Sequence, residues 1–167
     1  MTTSRRLLTL AAIAFSGLIL SACSDTATET QRDEEGSVTE RNDDASVFEI
    51  QVGDCYNFPD ESANSTEVET LSALPCDQPH QAEAYHEVEI DGDDFPGAPA
   101  VEEQADAACL DAFEPFVGAP YDTSVLDFTY LAPTEASWEQ LDDRLVSCLI
   151  VDTENPEVTG SLQGAAR

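Results

Sequence analysis

Five cysteines and two histidines are the side chains of this 167-residue chain best suited to covalent, metal or acid–base chemistry. Four of the cysteines, Cys55, Cys76, Cys109 and Cys148, lie in the C-terminal three quarters of the sequence. An even set of four in an exported domain points to two disulfides. Three pairings are open, and the two sequential loops, Cys55–Cys76 and Cys109–Cys148, are preferred. In the chain-entropy model each would stabilise the fold by about 3–4 kcal/mol. The rival use of Cys76 is a metal site with His80 and His86. An oxidising compartment and the lack of a second close cysteine pair argue against it, so no metal and no cofactor is expected.

The fifth cysteine has a different setting. The chain opens with Arg5 and Arg6, continues through an apolar run from Leu7 to Leu20, and reaches Leu20-Ser21-Ala22-Cys23. The run is shorter than the about 20 residues of a spanning helix. A basic start, a short apolar middle and small residues at the end form an export signal. Its last four residues resemble a bacterial lipobox, in which cleavage before the cysteine accompanies diacylglycerol attachment to its sulfur. Residues 1–22 are therefore expected to be a lipoprotein signal peptide, with Cys23 the lipidated residue. The expected address is the extracytoplasmic face of the cell membrane, held there by acyl chains that contribute about 0.8 kcal/mol per buried CH₂.

The remaining candidates are weaker. His80 follows Pro79 and precedes an alternating segment; a general base there would need a partner and a cleft. The plainer reading is a turn histidine bonded to nearby backbone. His86 falls among apolar neighbours at strand spacing and reads as half-buried structure. Asp91-Gly92-Asp93-Asp94 clusters oxygens of the kind calcium takes, but lacks the spacing and the final bidentate Glu of a calcium loop. Arg144 is the one basic residue between Val47 and the terminal Arg167, apart from the histidines. It is expected to form a structural ion pair with Asp143 or a more distant carboxylate, with anion binding as the sharper alternative. Trp138 is expected in the core or as a lid on a sheet edge. His80, Trp138 and Arg144 are the residues carried forward as possible ligand or partner contacts. No serine sits in a nucleophile elbow, and no catalytic residue is assigned.

These residues need elements to hold them. Residues 23–46 are polar and acidic with Val38 as the only large apolar side chain, and read as a disordered tether behind the lipid. The folded domain is expected over 47–167. Val47–Val52, Glu67–Leu74, Ala82–Ile90, Ser124–Leu131 and Leu145–Asp152 read as strands. In the third of these, Ala84, His86, Val88 and Ile90 would share a face. One helix is expected at about 101–117, where Val101, Ala105, Ala108, Cys109, Ala112, Phe113 and Phe116 form a stripe ended by Gly118 and Pro120. The fold class is α+β, with that helix packed on a mostly antiparallel sheet.

The folded part resembles the actinobacterial septum formation family. The likeness rests on Gly53-Asp54-Cys55, Pro75-Cys76-Asp77-Gln78-Pro79-His80, Phe95-Pro96-Gly97, Cys109 and Phe116-Val117-Gly118. It continues through Pro133-Thr134, Ser137-Trp138, Asp143-Arg144, Cys148 and Thr159-Gly160-Ser161-Leu162. Where the family usually has Gly-Asp-Arg, this chain has Asp142-Asp143-Arg144. The resemblance implies an exported or membrane-anchored protein linked to division septum formation, and supplies no established reaction.

A formal charge of −29, from 35 acids against six arginines, excludes a passive nucleic-acid binder, because phosphates would be repelled. The expected partners are the membrane, through the anchor, and envelope or division proteins with basic surfaces. The expected role is a non-enzymatic binding or scaffolding module. An envelope enzyme with an unrecognised site and a cation-dependent binding domain are the alternatives.

Overall fold

The computed structural model describes residues 29–59 and 68–167. The expected signal peptide, residues 1–22, and Cys23 lie outside the described residues. In chain order the elements are β1 (Asn42–Ser46), β2 (Cys55–Asn57), β3 (Thr70–Leu74), β4 (Ala82–Glu89), α1 (Ala98–Val117), β5 (Leu126–Leu131), α2 (Glu135–Leu141) and β6 (Leu145–Asp152). The strands form one antiparallel sheet in the order β1-β3-β2-β4-β6-β5. The fold is α+β, as the sequence predicts, with a second helix that it does not predict. Among the described residues no helix is long and apolar enough to cross a membrane.

β6 carries the centre of the molecule. Its run Leu-Val-Ser-Cys-Leu-Ile-Val is buried along most of its length, the pattern of a strand covered on both faces. Val146, Cys148 and Ile150 join the core beneath α1, while Leu149 joins a second core on the opposite face with Tyr56, Leu71 and Ala84. α1 buries Val101, Ala105, Cys109, Phe113 and Val117, a four-residue repeat that places one stripe against the sheet. It ends at Gly118, whose left-handed backbone (φ 79) favours glycine.

The two disulfides are Cys55–Cys76 and Cys109–Cys148, with Cα atoms 5.2 and 5.5 Å apart. The second is wholly buried and fastens α1 to β6.

Three expectations are corrected. The fold begins well before residue 47: residues 29–46 are part of it, not a free tether. β1 pairs with β3, Thr30 and Val38 are buried, and Arg32 reaches into the body. Val47–Val52 is not a strand but a short 3₁₀ turn (Val47–Glu49) and a bend. Only Val47 N–H reaches the neighbouring chain segment, at Glu69 C=O; further on, Phe48 N–H donates to Ser46 Oγ, Gln51 N–H to Asp54, and Glu49 C=O accepts from Arg32. Last, the register of β4 against β6 shifts between Ala84 and His86. This bulge moves the alternation by one residue. Ala84 therefore packs in the second core, while Val88 and Ile90 pack under α1 with Tyr85, whose hydroxyl donates to Cys109 C=O at 2.6 Å.

Candidate functional site

His80 is fully buried. Its backbone pairs with Val158, and its Nδ1 lies 2.9 Å from Gln78 C=O. Its Nε2 has no partner. Cys76 is committed to Cys55, so the trio Cys76, His80 and His86 does not assemble as a metal site. Among the described residues no three His, Cys, Asp or Glu side chains gather in a way that could hold a metal ion. His86 is half-buried at the β4 bulge, next to Glu87. Glu87 buries Oε1 without a partner, and this burial, with Asp54 adding like charge, raises its carboxyl above the usual range.

Trp138 and Arg144 come together. α2 begins at Thr134, whose Oγ1 accepts from Ser137 N–H while Ser137 Oγ accepts from Thr134 N–H. This reciprocal cap fixes the helix start and turns Trp138 inward, where its indole N–H donates to Asp93 C=O at 3.1 Å. Arg144 lies across the ring. Its Nε donates to Gly92 C=O, its Nη1 to Trp138 and Asp143 C=O, and its Nη2 to Asp93 C=O. The last donor meets Asp142 Oδ1 at 3.0 Å. A guanidinium has five N–H donors, and all five are engaged. The carboxylate partner is thus Asp142, not Asp143. Asp143 instead bridges Ser137 Oγ and Leu145 N–H. The 91–94 loop takes part through its main-chain carbonyls.

A second clasp was not expected. Asp54, 3% exposed, receives Arg32 in a two-pronged pair at 2.5 and 2.6 Å, and also the Tyr56 hydroxyl and Gln51 N–H. The hydrogen bonds that Arg32 donates to Asp54 raise its pKa still further, against the opposing effect of burial. Burial and Asp54 together raise Tyr56. The signal in the sequence is slight: Arg32 is one of two arginines in an otherwise acidic segment.

The sheet face turned away from α1 is not covered as fully. An open groove of about 1740 Å³ runs over it and round the end of the sheet to α2 and the first turn of α1. The half-buried Leu131, Phe58 and Val68 contribute apolar floor above the fully buried Leu149, and the exposed Phe48 and Leu141 line it too. Glu69, Glu89, Glu102 and Glu135 line it as well, and Arg144 is the one cation among the lining residues. A smaller pocket of about 460 Å³ borders the Cys55–Cys76 bridge.

A family model described as septum formation matches residues 52–167. The match starts beyond the Arg32 side of the clasp. No curated protein and no solved structure matches the chain.

Proposed function

The chain belongs to the septum formation family, and from that premise we propose that it serves septum formation as a lipid-anchored, extracytoplasmic binding module, not as an enzyme. The lipobox-like Leu20-Ser21-Ala22-Cys23 supports the anchor. The disulfides support the compartment, since such bridges persist where thiols are oxidised. One observation carries the binding role: Arg144 and the Nδ1 of His80 are turned onto the protein's own backbone, while a broad groove stays open. Arg144 spends its donors on four carbonyls and Asp142, and His80 Nδ1 meets Gln78.

The test compares the full chain with Cys23→Ser in growing cells fed an alkyne fatty acid. The expected result is acyl label on the parent chain alone, recovery of that chain with membranes, and its concentration at division sites. An unlabelled parent chain, or one spread evenly over the cell, would overturn the proposal.

A further inference from the structure

We propose that the groove on the free sheet face binds a cationic, amphipathic segment of a partner polypeptide, apolar side chains on its floor and Lys or Arg side chains at its edge. This rests on the reading of the chain as a binding module and names the chemistry of what it binds.

Size sets the first limit. Small-molecule sites hold roughly 300–1,000 Å³ and enclose their ligand; this groove is larger, at about 1740 Å³, and open. Its accessible floor is apolar, from the half-buried Leu131, Phe58 and Val68. Four large apolar side chains are well exposed among the described residues, and two of them, Phe48 at 55% and Leu141 at 62%, line this groove. Exposed apolar surface gathered in one concavity marks an interaction site.

Charge selects the class of partner. Glu69, Glu89, Glu102 and Glu135 line the groove, and its one cation, Arg144, is already enclosed by carbonyls and Asp142. A net charge of −29 repels an anionic bilayer, a polyphosphate and a second copy of the chain alike. A segment with leucine-like and lysine-like faces satisfies both the floor and the edge.

The probe is a labelled amphipathic Leu/Lys peptide, followed by fluorescence anisotropy on the full chain carrying Cys23→Ser. Two controls accompany it: the same peptide with Glu for Lys, and a Lys peptide of equal charge with its leucines scattered. The Leu/Lys peptide should bind, with affinity falling as salt rises. The scattered peptide should bind about tenfold more weakly, and the Glu peptide not at all. Phe48→Ser with Leu141→Ser should weaken binding about tenfold. Both positions are exposed, so an unchanged melting curve separates loss of contact from loss of fold. Glu69→Gln with Glu89→Gln should weaken it and flatten the salt dependence. No binding, equal binding of the two Lys peptides, or unaltered binding in the Phe48/Leu141 variant overturns the inference. So does a peptide copy of residues 1–22 outcompeting the probe, since the occupant would then be the chain's own apolar segment. A chain that is acylated and septal yet ignores the probe keeps the proposed function and loses this inference.

Discussion

The guanidinium carbon of Arg144 lies 3.7 Å from the centre of the Trp138 ring, close enough for the cation to sit on the π-face. The two residues hold each other in place, and with them α2, the 91–94 loop and the start of β6. Lysine keeps the charge but has three donors on a point-like head, against five on a planar fork. Arg144→Lys should therefore cost about 2 kcal/mol, from lost stacking and from carbonyls left without donors. Trp138 is the only tryptophan, so urea melts followed by its emission report on this site directly. A melt that matches the parent would contradict the account.

The neighbouring Asp142 adopts a left-handed conformation (φ 56) at the end of α2, a position that favours glycine. An L-residue there costs about 1 kcal/mol. In return its exposed carboxylate meets Arg144, and exposed pairs contribute about 0–1 kcal/mol. Backbone relief should win narrowly. Asp142→Gly is expected to raise stability by about 0.5 kcal/mol, read from thermal melts beside Asp142→Ala, which should lose the pair and keep the strain.

Removing Arg32 leaves a buried carboxylate without its cation. Breaking one side of such a pair costs about 3–5 kcal/mol. Arg32→Ala should lose that much, and limited proteolysis should then cut ahead of residue 50. The double variant with Asp54→Ala should recover part of the loss, because no charge is then stranded. Unchanged protection of residues 29–49 in Arg32→Ala would show that β1 pairing alone secures the segment.

Glu87 gives a pH signature. Its folded carboxyl has a raised pKa, so the native state holds the proton more tightly than the unfolded chain. Its contribution is fully present below the unfolded value, near 4.5, and is lost as pH rises through the folded one. Glu87→Gln should consequently stabilise the protein at pH 7 and lose that advantage as pH falls below the ordinary glutamate range. Urea melts of both proteins across that interval check it; an advantage that grows in acid would reverse the sign.

The two disulfides should differ in reach. Cys76 borders an open pocket, whereas Cys109 and Cys148 are fully buried. A mild thiol reductant acting on the folded protein should open Cys55–Cys76 first, with alkylation and peptide mass mapping labelling that pair while Cys109 and Cys148 stay unmodified. Label on Cys109 before Cys76 would be inconsistent with this structure.

How much of this was legible depended on range. α1 announces itself because Val101, Ala105, Cys109 and Phe113 repeat at helical spacing and Gly118 stops them. β6 is plain as an apolar run, and the cysteine pairing follows from sequential loops. α2 is hidden because it has only seven residues and its cap uses Thr134 with Ser137, a short polar pattern that also occurs in loops. The alternation in Val47–Val52 misleads because Phe48 and Val52 end up exposed. The bulge at Tyr85 leaves no trace in composition. The Arg32–Asp54 clasp joins positions 22 apart, and averaging over an acidic segment conceals a single cation whose partner is distant. The groove is assembled from the end of β4, the start of α1, β5, α2, β6 and the loops beside them, so no one stretch of sequence contains it.

With the proposed lipid on Cys23, the docking of Thr30 and Arg32 would also set a stand-off. The stretch from Cys23 to Thr30 can span at most about 25 Å even when fully extended. With fatty chains on Cys23, the globular part would ride just above the lipid headgroups, too short-leashed to sweep the space beyond. Whatever it meets would have to arrive at the bilayer surface, and its negative charge against a negative leaflet would favour orientations that turn the most acidic side outward.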